Sequence, residues 1–508
     1  MAPEQEDSQE ESRTIHVKIL VHKQSNKVVF VEAKKDFVDT LFSFLSLPLG
    51  TIVRLLATNN NNNDQQQHQQ LLESSPFLDN IKYIYQTVQD ITSNDVWNNP
   101  LCKQMLLHPR NPCESQCMKL FLNIDDTEPS SKFYVCDSCF KFTTFQNLDC
   151  TCGKPTNRQP RNLDSKRVDA QNQAFLRENG STFLVFDDLK IVQSSAMTTL
   201  SLLKELGYSD LTQLEEITHN IDKQEILNLL KYSLTSHEPM TNTILKSSSK
   251  YKGNLPNQSS SAEGVKPCAS GGTKMDVKVV RSISQKKIIF VEANGDFVGF
   301  IFSFLTMPLG SIVKLLDGNS IAGCVGNLYK SVEKMDSSLC TNSRTVLLNP
   351  GVAPYFGCPN QPLNIPDLQP PTTYYYGTGT PYETYNYSLK REVKVEGGVI
   401  SKTKESIFNA RLLTALDPKS PNMSREGVVG FVQRLALYGV GDDLKVKSLS
   451  ANSFLLYLKE LSLPIEDLQV EVISIGEAEA LSFLKAFLTA KFTLTSGLGN
   501  LLDVPKLE

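Results

Sequence analysis

This sequence predicts an α+β fold made of two tandem related modules, each with β-hairpins and packed helices, the first carrying a zinc-knuckle-like insertion. Three observations carry that expectation. Residues 17–56 align without a gap onto 277–316 at a constant offset of 260, with 21 of the 40 pairs identical. Within each copy a period-two strand pattern gives way to a helix that is apolar nearly all round. Four cysteines of the first copy have metal-ligand spacing, and no cysteine follows Cys358 to match them.

The chain opens with residues 1–13, an acidic, polar stretch expected to be disordered and unlike a secretory or transit signal. The first module is expected over 14–240. Val17, Ile19 and Val21 alternate with Lys18, Leu20 and His22 as a half-buried strand, and a Gln24-Ser25-Asn26 turn leads to the more buried run Val28–Val31. Asp36, and Asp296 in the second copy, is placed as an N-cap. Phe37, Val38, Leu41, Phe42, Phe44 and Leu45 then give a largely buried helix, which Pro48 ends before Gly50 turns into a second short helix. The Asn/Gln-rich tract at 58–70 is unique to the first copy and reads as a disordered loop.

Further on, Asp187-Asp188-Leu189-Lys190 answers Asp442-Asp443-Leu444-Lys445 as a hairpin turn. Amphipathic segments follow at Met197–Leu206 and Ser453–Leu461, with Gly207 as a helix-ending residue. Asp222 and Glu225 have capping-box spacing ahead of an apolar run. Residues 241–273 are Ser-, Lys- and Gly-rich and read as a linker, and 274–508 as the second module.

With 51 basic and 55 acidic residues the formal charge is −4, too near neutral for a global field that recruits nucleic acid or an anionic membrane. No run of 18 apolar residues suggests a membrane span, and the odd count of 11 cysteines fits a reducing, intracellular compartment, cytoplasm or nucleus.

One constellation carries chemistry. Cys136 and Cys139 form a C-x-x-C turn, and Cys150 and Cys152 a C-x-C pair ten residues later. Four thiolates suit one tetrahedral structural zinc with no open position for water, and Phe140, Phe142 and Phe145 are placed to cover it. Lys154, Arg158, Arg161, Lys166 and Arg167 follow as a basic stretch, so nucleic-acid contact through the cysteine knuckle is an alternative. Asp125-Asp126 reads as a solvated turn, Cys113 and Cys117 as a weak metal pair, and Tyr374–Tyr376, Tyr382, Tyr385 and Tyr387 as part of a long loop. There is no P-loop, no G-x-S-x-G and no H-E-x-x-H, so the expected function leans away from catalysis, towards a protein-interaction or scaffold module with a protein partner.

The block VKILVHKQSNKVVFVEAKKDFVDTLFSFLSLPLGTIVRLL at 17–56, LLHPRNP at 106–112, LNIDDTEP at 122–129, the CTCGKP ending and the DDLK turn resemble a plant family known as domain of unknown function 674. The resemblance implies a plant protein of tandem repeated modules with cysteines at 136, 139, 150 and 152. The second copy departs from that pattern by lacking them.

Overall fold

The computed structural model describes residues 13–59, 75–127, 132–136, 138–164, 174–208, 210–245, 273–317, 323–341, 343–368, 373–379, 382–386, 391–395, 398–405, 407–420, 430–460 and 463–502. The acidic start, most of the Asn/Gln tract, and 246–272 of the expected linker lie outside them. The first half contributes β1 (Ile15–His22), β2 (Lys27–Ala33), β3 (Tyr134–Cys136), β4 (Lys141–Thr143), β5 (Leu148–Asp149), β6 (Pro155–Thr156), β7 (Arg161–Asn162), β8 (Phe183–Phe186), β9 (Ile191–Gln193) and β10 (Leu214–Ile221). The second contributes β11 (Met275–Ser282), β12 (Lys287–Ala293), β13 (Thr373–Thr378), β14 (Tyr382–Asn386), β15 (Arg391–Val395), β16 (Gly398–Ser401), β17 (Phe408–Ala415), β18 (Tyr438–Gly441), β19 (Val446–Ser448) and β20 (Leu468–Ile475). Helices and strands together make this an α+β protein.

Each half builds the same five-stranded antiparallel sheet, in the order β10-β1-β2-β8-β9 and β20-β11-β12-β18-β19. The registers match: Ile19 faces Val31 as Val279 faces Val291, and a bulge follows Leu20 and Val280 alike. The period-two pattern explains the buried face, since Ile15, Val17, Ile19 and Val21 all point inward. Asp36 is not the N-cap. The helix Lys35–Ser43 starts two residues earlier than such a cap would place it, with Lys34 at the cap and Asp36 in the first turn, where its charge still meets the positive end of the helix dipole. In the second copy Asn294 caps Gly295–Ser303 through its side chain.

The repeated Pro-Leu-Gly does more than end a helix. Pro48 pairs with Pro308 across the two halves, with Leu49 N–H donating to Met307 O at 3.1 Å and Leu309 N–H to Leu47 O at 3.0 Å. A Cβ on Gly50 would lie 3.1 Å from Leu305 O, and one on Gly310 3.0 Å from Leu45 O. Glycine lets the backbones meet there. The densest part of the repeat is therefore the seam between its own copies.

The halves also exchange short segments. Thr341 N–H donates to Phe175 O and Arg177 N–H to Leu339 O, while Asn98 N–H donates to Phe431 O and Gln433 N–H to Val96 O. These are the same two bonds with the halves swapped. A further pair behaves likewise: Asn80 Nδ2 donates to Ala490 O at 2.8 Å, and Cys324 Sγ to Ser236 O at 3.2 Å. The main apolar core accordingly runs through both halves, as where Trp97 stacks on Phe302 at 5.9 Å.

A third sheet draws on both halves, in the order β3-β4-β17-β13-β16-β7. β4 runs parallel to β17, and β16 parallel to β7. A bridge between Val135 and Arg158 brings β3 back against the segment entering β7, so the six strands close into a ring. Phe133, Val135, Phe142, Tyr374, Tyr376, Ile400 and Leu413 fill it. The ring has its own pseudo-two-fold: Leu163 N–H donates to Ile400 O at 2.9 Å and Leu416 N–H to Phe142 O at 2.8 Å.

Several sequence expectations meet the structure here. Tyr374–Tyr376 are not loop but strand β13, with Tyr374 and Tyr376 in the ring core; Tyr382 and Tyr385 lie on β14, and Tyr387 is outside the described residues. The start of the expected linker is helical, because Pro239–Ile244 buries Met240, Thr241 and Thr243. The 222/225 capping box is present, and Gly207 adopts φ +79°.

Candidate metal centre

The β3–β4 hairpin of the ring and the separate two-stranded β5–β6 hairpin present their turns to each other. β3 and β4 pair through Val135–Phe142 and Cys136–Lys141, leaving Cys136 and Cys139 at their turn. β5 and β6 pair through Leu148–Thr156 and Asp149–Pro155, leaving Cys150 and Cys152 at theirs. Phe140 N–H donates to Cys136 O at 3.0 Å and closes the first turn with φ +51°. Gly153 N–H donates to Cys150 O at 2.8 Å in the second, and its φ of +77° is the conformation that glycine supplies without strain. The four Sγ atoms lie within 4.8 Å of one another, with Cys136 and Cys152 at 3.5 Å. Among the described residues this is the cluster of His, Cys, Asp and Glu that is arranged to hold a metal ion.

Burial differs across the set: Cys136 and Cys150 are buried, Cys139 half-buried and Cys152 exposed. Backbone donation around Lys154, helped by Cys139, lowers the Cys152 thiol to about 7, while the hydrogen bond with Cys152 raises Cys139 to about 12. Desolvation raises Cys136. A cluster with one thiol already near its thiolate form is primed to give up protons to a cation.

The other described cysteines are packed thiols. Cys113 is pushed up to about 12 by burial, and Cys117, raised by burial too, accepts from Asn111 Nδ2 at 3.4 Å. Cys358, the counterpart of Cys117, is also raised by burial to about 12. The phenylalanines expected over the cysteines are spent elsewhere. Phe142 lies in the ring core, Phe145 packs under Arg110 at 4.2 Å, and Phe140 stacks under Arg411 at 4.6 Å.

Of the basic stretch, Lys154 donates to Ser138 Oγ at 3.0 Å, Arg158 lies 5.7 Å from the Tyr376 ring, and Arg161 belongs to β7 beside Val399. Lys166 and Arg167 lie outside the described residues. The acidic pair is split: Asp125 accepts from Thr127 N–H and O–H at 3.1 and 2.7 Å, and Asp126 pairs with Arg54.

Asp187 and Asp442 do one structural job twice. Thr241 donates to Asp187 through N–H at 2.9 Å and O–H at 2.5 Å; Thr495 donates to Asp442 at 2.9 and 2.6 Å. The same hydroxyls accept from Val28 N–H and Ile288 N–H. Each hairpin turn thus caps a distant helix and ties it to β2 or β12. Burial raises both carboxyls, Asp187 to about 6.

Sequence reasoning passed over Asp39 and Arg411. Asp39 is buried, pairs with Lys35 at 2.6 Å and accepts from Leu176 N–H at 2.9 Å, with desolvation raising it to about 6; its place in the second copy is Gly299. Hydrophobic-face logic assigns no carboxylate to such a position, so only its polarity amid apolar neighbours marked it.

No helix among the described residues is long and apolar enough to cross a membrane. Neither the curated proteins nor the solved structures contain a match to this chain. One family model does match, described as a protein of unknown function (DUF674), over residues 11–478. Spanning both sheets, the ring and the cysteine cluster, that match makes the chain a member of the DUF674 family.

Proposed function

We propose that the protein is a non-enzymatic interaction scaffold in which Cys136, Cys139, Cys150 and Cys152 hold one structural zinc. The four-thiol cluster carries the reading. Tetrahedral zinc with bonds of about 2.3 Å sets its sulfurs about 3.8 Å apart, and the 3.5 Å between Cys136 and Cys152 is close to that. Four protein sulfurs fill the coordination sphere, so the ion would staple two turns together and leave no position for substrate. Thermal unfolding with and without a strong chelator tests it. A lower midpoint on chelation, restored by zinc and by no excess of magnesium, is expected; a midpoint that ignores chelation overturns the staple.

The interaction half of the reading draws on apolar side chains that both halves leave in water. Leu200 and Leu455 sit at equivalent helix positions with 53% and 56% exposure, and Leu211 and Ile465 repeat this at 65% and 74%. Apolar exposure kept twice at one place marks a contact surface for a protein partner. Affinity capture from source tissue should recover a reproducible partner that is lost from the Leu200→Glu, Leu455→Glu double variant. A partner set indifferent to that variant contradicts the surface.

A further inference from the structure

Cys152 is the exposed member of the cysteine set, and its Sγ lies 3.5 Å from that of Cys136, which is buried. The two come from different hairpins. Cys136 ends β3, whose neighbour β4 runs beside β17 of the second half. Cys152 lies in the turn between β5 and β6, and the chain goes on to β7 beside β16. A bond between these two sulfurs would join the two turns, as a metal would. A bond from Cys136 to Cys139, or from Cys150 to Cys152, would stay inside one turn.

Access and room favour the same pair. Cys102, Cys113, Cys117, Cys324, Cys340 and Cys358 are all buried, and Cys139 is half-buried, so among the described cysteines a solution oxidant meets Cys152 first. A disulfide holds its sulfurs about 2.05 Å apart, so a closure of about 1.5 Å is enough. A Cβ on Gly153 would meet nothing within 4 Å, which leaves the turn carrying Cys152 space to move. The second half has Gly377 in place of Cys136 and no counterpart to the pair.

We propose that Cys136 and Cys152 are a peroxide oxidation site, forming a disulfide that staples the two turns in place of the metal. The Cys152 sulfur attacks one peroxide oxygen; the O–O bond breaks, water leaves and a sulfenic acid remains. The Cys136 sulfur then attacks that sulfur, forming the S–S bond, and the S–O oxygen departs with a proton as a second water. From a zinc site of four thiolates, one hydrogen peroxide and four protons are consumed. One zinc ion, one disulfide, two thiols (Cys139 and Cys150) and two waters result. Release of zinc rests on the structural-zinc reading, whereas the disulfide needs only the thiols.

The test treats the full chain carrying Cys268→Ser, a cysteine outside the described residues, with one equivalent of hydrogen peroxide. Released zinc, the disulfide map and the unfolding midpoint are then measured. Stoichiometric zinc release, a Cys136–Cys152 link and a midpoint held above that of chelated, reduced protein are expected, all reversed by a thiol reductant with added zinc. Cys139→Ser should still form the link, and Cys136→Ser and Cys152→Ser should not. Protein that carries no zinc yet forms the link supports the disulfide and overturns the metal reading alone. Three results overturn the proposal: all four cysteines stay open to alkylation, the link lies within one turn, or the oxidised midpoint falls to the chelated value.

Discussion

The two halves contribute to the ring in different ways. The first brings β3 and β4 of three residues each and β7 of two; the second brings β13 of six, β16 of four and β17 of eight. Strands of two or three residues make too few cross-strand bonds to hold an edge, whereas the longer ones hold through their own ladders. The cysteines stand where strands are short, and at the equivalent of Cys136 the second half has Gly377, opposite Val399 on β16. On the proposed zinc reading, metal and strand length are alternative answers to one problem. The seam and the Asp–Thr caps, by contrast, are repeated bond for bond.

The strongest way to break the comparison is at the seam. Gly310→Val would drive side-chain carbon into Leu347 O and Leu45 O, already 2.9 and 3.0 Å from a Cβ. Denaturant unfolding should show a loss of about 3 kcal/mol or more, and Gly50→Val, with slightly wider contacts, a similar but smaller one. A neutral result at both sites would mean the halves are not joined there.

The pH dependence sharpens the difference between halves. Asp39 has a folded pKa raised to about 6 by burial, above the unfolded carboxylate value. A raised group favours the fold below its unfolded pKa, and that contribution is lost as pH rises through about 6. Asp39→Asn should therefore gain on the unmodified protein by up to about 3 kcal/mol between pH 4 and 7. Parallel stability curves would show that Asp39 is not desolvated. The second half has Gly299 there and should contribute no such slope.

The smallest expected contrast concerns the caps. Asp187→Ala and Asp442→Ala each strand a threonine N–H and O–H, costing about 2 kcal/mol. Because the geometries coincide, the two losses should agree within about 0.5 kcal/mol; a clear inequality would show that the repeats have specialised there.

Much of this was readable in the residues themselves. Alternation at Val17–Val21, the apolar helix after Asp36, the capping box at Asp222 and the cysteine spacing are local signals, and local physics decides them. The ring was not readable, because β3, β4 and β7 are two or three residues each and carry no period. Its parallel pairings join residues 141–142 to 414–415, a contact no local pattern announces. The tyrosines of β13 looked like loop because their Gly and Thr neighbours were read by propensity, which partner strands override. Gly50 was understood as a turn residue when its partner was the other copy.

Zinc content across cysteine variants tests the central claim that the metal staples the first half alone. Protein purified without chelators should carry one zinc per chain, lost in Cys136→Ser, Cys139→Ser, Cys150→Ser and Cys152→Ser, and kept in Cys324→Ser, Cys340→Ser and Cys358→Ser. Protein without zinc, or zinc lost from the second-half variants, would contradict it.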